Sequence, residues 1–76
     1  MGYSVRLKQK IGNSEYTMYV GVDFGGCYIP IYDKENAIVM TKTSAEKFAE
    51  NATDLLPHYH IVSGEAFKNN KYEKNN

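Results

Sequence analysis

This 76-residue chain has one cysteine, two prolines, no tryptophan and no net charge. The lone Cys27 excludes an internal disulfide, so packing alone has to hold the fold, and a reducing cytoplasm is the expected setting. One Cys and two His cannot build a zinc knuckle, and a solitary cysteine reads as a small buried hydrophobe before it reads as a nucleophile. Nine basic residues balance nine acidic ones, which argues against both a strongly basic nucleic-acid binder and an acidic DNA mimic. No apolar run approaches a membrane span. The first residues lack the apolar core of a signal peptide, and Arg6 stands where a myristoylation signal wants Ser or Thr. Arg6 is the only arginine, while Lys, Asn, Tyr and Ile, all with AT-rich codons, are plentiful. That bias implies an AT-rich genome and carries no chemistry.

What the chain does have is two clear periodicities. Tyr3, Val5, Leu7, Ile11, Tyr16, Met18, Val20, Val22 and Phe24 alternate with polar residues, as on one side of a sheet. Strand one is expected over about 3–11, and a Gly12-Asn13-Ser14 turn leads to strand two over about 15–24. A tight Gly25-Gly26 turn then leads to strand three over 27–32. Pro30 has no N–H to donate, which places that strand at an edge or a bulge. A fourth strand is expected over 37–41. From Thr43 the spacing becomes helical. Thr43 and Glu46 form a capping box, Ala45, Phe48, Ala49, Ala52, Leu55 and Leu56 make one stripe, and Pro57 ends the helix. Tyr59 to Ser63 reads as a closing strand terminated by Gly64. The expectation is a single α+β domain over 1–64, one antiparallel sheet in the order β-β-β-β-α-β with one helix on one face. Residues 65–76 are expected to be a polar, flexible tail. A chain this short nets about 3–5 kcal/mol from its core. Surplus apolar residues such as Ile29, Ile31, Ile38 and Met40 therefore point to a homodimer.

Three local motifs have ordinary structural readings that outweigh the functional ones. Val20-Gly21-Val22-Asp23-Phe24-Gly25-Gly26 resembles the first phosphate hairpin of the sugar kinase and actin-like ATPase superfamily. That family needs a second phosphate loop and an adenosine pocket from a far longer chain, so ordinary hairpin chemistry is the better reading. His58 and His60, two apart in an expected strand, form a metal site only with a third ligand that no spacing selects. Asn51-Ala52-Thr53 matches a glycosylation acceptor but falls within the helix of a chain with no secretion signal. No acidic residue pairs with His or Ser at a catalytic spacing. No catalytic residues, metal ligands or cofactor are therefore assigned.

The candidate binding surface is the sheet face the helix leaves open: Arg6, Lys8 and Lys10 from strand one, Tyr19 from strand two, and Tyr28 and Tyr32 from strand three. Aromatic planes and basic tips suit a protein interface, and they also suit stacked bases with phosphates.

The run Ala37-Ile38-Val39-Met40, Thr43-Ser44-Ala45-Glu46-Lys47-Phe48-Ala49 and Tyr59-His60-Ile61-Val62 resembles small phage and prophage accessory proteins of low-GC Gram-positive bacteria. The resemblance implies a setting of phage–host conflict or phage takeover, in the host cytoplasm, and carries no site residues. The expected function is non-enzymatic binding that inhibits or modulates a host or defence protein. The alternative is a module that sequesters a nucleotide or oligonucleotide on the Tyr/Lys/Arg face.

Overall fold

The structure is a computed structural model that describes residues 2–69. Four antiparallel strands, β1 (Tyr3–Ile11), β2 (Ser14–Val22), β3 (Tyr28–Ile31) and β4 (Ile61–Lys68), form one sheet in the order β3-β2-β1-β4. Helix α1 (Lys42–Glu50) and the single turn α2 (Ala52–Leu55) pack on one face. This is the α+β arrangement that the alternation and the helical stripe specify.

The first hairpin follows its turn residues. Ile11 pairs with Ser14 across Gly12-Asn13, and Gly12 has φ 62°. A positive φ at the first loop residue is the two-residue geometry that glycine favours there. From this pairing Leu7 meets Met18 and Arg6 meets Tyr19.

The second hairpin is wider than the Gly25-Gly26 turn expected from sequence. Val22 pairs with Tyr28, which leaves residues 23–27 as the loop. The Asp23 carboxylate accepts N–H bonds from Gly25 and Cys27, both at 2.9 Å, and the Asp23 N–H donates to the Cys27 carbonyl. A two-residue turn would have set Val22 against Ile29. The Asp23-centred loop moves the register by one residue, and a one-residue shift carries every side chain of β3 to the other face. Tyr28 and Pro30 therefore lie on the helix side, and Ile29 and Ile31 on the opposite one. Pro30 is in an edge strand, as its missing donor requires.

The expected fourth strand is reduced to one bridge. Tyr3 and Met40 exchange both backbone bonds, at 2.8 and 2.7 Å, and the Ile38 N–H donates to the Val20 carbonyl. Residues 37–40 thus wedge between the start of β1 and the end of β2. Buried Ser4 fixes the wedge by donating its hydroxyl to the Ile38 carbonyl at 2.7 Å.

With Met40 held, the helix starts earlier than the capping box at Thr43 suggests. Thr41 is the N-cap, its hydroxyl accepting from the Ser44 N–H at 3.1 Å. The helix does not run unbroken to Leu56. It breaks at Asn51, whose side-chain amide donates to the Lys47 carbonyl. Leu56 is buried after the break, but Leu55 is turned outward.

β4 carries the largest correction. Gly64 does not end it. It lies mid-strand opposite Leu7, and the strand runs on through Phe67 to Lys68. A Cβ on Gly64 would sit 2.8 Å from the Ala49 carbonyl oxygen, so the glycine is what lets α1 reach the sheet. The expected boundary at residue 64 therefore cuts through a strand, and the end of the expected tail, residues 70–76, lies outside the described residues. His58 falls in a 3-10 turn (Pro57–Tyr59) and His60 is left-handed at φ 57°, so neither stands in a strand. The core is Val5, Leu7, Met18, Val20, Ala45, Phe48, Ala52, Leu56 and Ile61.

Candidate binding surfaces

The strand registers divide the six residues proposed from sequence between two faces. Arg6, Lys8, Lys10 and Tyr19 share the face away from the helix. Tyr28 and Tyr32 do not join them. Tyr28 packs edge-on against Phe48 of α1, with ring centroids 5.1 Å apart at 75°. The Tyr32 hydroxyl lies 3.4 Å from Oε1 of Gln9, a buried residue that alternates with Leu7 on the core side. The register shift made by the Asp23 loop is the cause.

On the basic face the organising residue is Phe67, which belongs to β4 and not to a flexible tail. Opposite Ser4 in the β1–β4 register, its ring receives the Arg6 guanidinium at 4.6 Å and the Lys34 ammonium at 5.4 Å. Tyr19 meets the same ring edge-on, with centroids 6.0 Å apart. Arg6 also pairs with Glu65, directly across the ladder, at 3.2 Å. Such an exposed pair stabilises by about 0–1 kcal/mol, but it leaves the guanidinium engaged on two sides. Lys8 and Lys10 are exposed and face Thr17 and Glu15 across the strands. No alternation marks Phe67 in the sequence: Glu65, Ala66, Phe67 and Lys68 read polar, apolar, apolar, polar, and polar residues follow.

The helix side is more apolar. α1 lies over β4 and β1, which leaves the β3 flank and the ends of β2 uncovered. Val22 is 46% exposed, Tyr28 50% and Tyr32 65%. Tyr16 and Ile11 lie on the same side, beyond the reach of the helix. A shallow groove lined by Ser44, Lys47, Phe48, Asn51 and Leu55 runs along α1. The Tyr28–Phe48 contact joins the groove to the strip on β2 and β3. Gln9, the buried polar residue on this side, is satisfied, since its amide also donates to the Tyr59 carbonyl at 2.9 Å.

The resemblance to a phosphate hairpin meets a specific obstacle. The Gly25 and Cys27 amides that would cradle a phosphate are bonded to the Asp23 carboxylate. Among the described residues no group of three His, Cys, Asp or Glu side chains is placed to hold a metal ion. No helix among them is long and apolar enough to cross a membrane. No protein-family profile, curated protein or solved structure matches the chain.

Proposed function

We propose that this chain is a small non-catalytic protein-binding module whose contact surface is the aromatic and aliphatic strip beside α1. The observation that carries the reading is the grouping of Val22, Tyr28, Tyr32 and Leu55, all exposed, along one side of the helix. Exposed aromatics next to a buried anchor such as Phe48 are the material of interface hot spots. In the phage–host setting that the resemblance of its second half implies, the partner is a host or defence protein in the host cytoplasm, inhibited by stoichiometric occupation. A homodimer belongs to the same reading.

The nucleotide or oligonucleotide alternative has less to work with. Tyr28 and Tyr32 stand on the other face, and Arg6 is held by Glu65 and Phe67. It retains Lys8, Lys10 and Tyr19. Two variants separate the readings: Tyr32→Lys on the strip, and Lys8→Glu with Lys10→Glu on the basic face. Capture from host lysate is expected to recover one stoichiometric partner with the wild type and the double variant, and to lose it with Tyr32→Lys. Thermal stabilisation by a phosphorylated ligand or short oligonucleotide, abolished by the double variant, would reverse the order.

A further inference from the structure

The hydrogen-bond phase of the sheet fixes what each edge offers. In an antiparallel ladder, successive residues aim their N–H and C=O alternately at one neighbour and at the other side. Tyr3 exchanges its bonds with Met40, while the Gly2 carbonyl accepts from the Asn69 N–H at 2.9 Å. Even-numbered residues of β1 therefore bond to β4, and their partners Ser63, Glu65 and Phe67 point their backbone groups inward. Gly64, Ala66 and Lys68 point theirs outward. Among the described residues no backbone group from another element pairs with those three.

The two sheet edges are unequal. Asp23 and Cys27 set the phase of the β2–β3 ladder, and it turns Tyr28 and Pro30 outward, so the four-residue β3 presents a proline at its free edge. Such an edge resists further pairing. β4 is eight residues long and has no proline. Only its start is occupied, where the Thr53 hydroxyl donates to the Ile61 carbonyl at 3.1 Å.

We infer that β4 pairs antiparallel with β4 of a second copy across a twofold axis, giving one continuous sheet through both protomers. This rests on the homodimer in the reading above and gives it a seam. Outward groups can meet only outward groups, which leaves few registers. Centring the axis on Glu65 opposes two carboxylates directly, and like charges in that position destabilise. Centring it on Gly64 brings the two α1 helices together, each already at backbone contact with its own Gly64. Centring it on Phe67 leaves Gly64 unused.

Centring the axis on Ala66 engages all three outward residues, with Gly64 facing Lys68 of the second copy. The two Gly64 positions are then about 13 Å apart along the strands, beyond the roughly 8–10 Å at which helices pack. Glu65 comes opposite Phe67 of the second copy, the ring beneath the cations of Arg6 and Lys34. That charge complementarity selects a second copy as the occupant.

Sedimentation of the wild type at about 100 μM tests the dimer, and cysteine pairing tests the seam. In a Cys27→Ser background, Ala66→Cys places two thiols across the axis with Cα atoms about 5.5 Å apart, inside the disulfide range. Mild oxidation is expected to give a covalent dimer with Ala66→Cys and little with Glu65→Cys, whose Cα atoms stand about 8 Å apart by the strand spacings. A monomer in sedimentation would overturn both the dimer and its seam. A dimer whose Ala66→Cys variant does not cross-link, or whose Glu65→Cys variant cross-links instead, would overturn the seam alone.

Discussion

At the scale of single residues, two side positions carry the packing of α1. Phe48 is buried in the core and also supports the Tyr28 ring. Replacing it with Asp would bury an unpaired charge in a domain with only about 3–5 kcal/mol to lose. Phe48→Asp is therefore expected to abolish the cooperative thermal transition, and a normal melt would show that the helix is not core. Gly64 is the second position. A methyl group there meets the Ala49 carbonyl at 2.8 Å, so Gly64→Ala is expected to cost about 1–3 kcal/mol through overpacking, read as a lowered denaturation midpoint. An unchanged midpoint would mean that α1 and β4 are not in backbone contact at Gly64. Sequence alone marked Phe48 as core by its place in the helical stripe. It missed the role of Gly64, because a glycine that admits a helix and a glycine that ends a strand look the same without a partner in view.

At the scale of elements, legibility followed how local each cause was. The first hairpin is fixed by Gly12-Asn13 and the alternation either side of it, all within a few residues. β3 could not be placed that way. Its face depends on whether the loop before it has an even or an odd number of residues, and that is decided by the Asp23 carboxylate reaching two amides. Two glycines in a row suggest a tight turn, but the captured carboxylate stabilises a wider one. The helix start is ambiguous in the sequence for a similar reason. Thr41 and Thr43 both have capping chemistry, and the choice is made by Tyr3 gripping Met40 from the far end of the chain. Thr41→Ala is expected to lower stability by about 1 kcal/mol and Thr43→Ala by clearly less, measured by urea denaturation. The reverse ranking would restore the cap to Thr43. Residues 37–40 have the composition of a strand, but they form one bridge, to Tyr3, and a single backbone bond to Val20 in place of a ladder.

At the scale of the whole molecule, these local choices sort the chemistry of the surface. Cations, Phe67 and Tyr19 lie on the open sheet face, where Arg6 is engaged by Glu65 and the Phe67 ring. Val22, Tyr28, Tyr32 and Leu55 lie beside the helix with much of their surface exposed. Four of the six surface residues named from sequence, Arg6, Lys8, Lys10 and Tyr19, share one face as the alternation requires, while Tyr28 of β3 and Tyr32 just beyond it follow the register of that strand to the other. The proposed binding strip therefore depends on that register. A two-dimensional proton NMR experiment on the full chain tests it most directly, because cross-relaxation reports ring contacts of about the length seen here. The account predicts cross-peaks from the Tyr28 ring to Phe48, whose centroids are 5.1 Å apart, and from Tyr19 to Phe67, at 6.0 Å. Cross-peaks from Ile29 or Ile31 to Phe48, with Tyr32 meeting Tyr19 across the ladder, would contradict it and return all three tyrosines to the basic face.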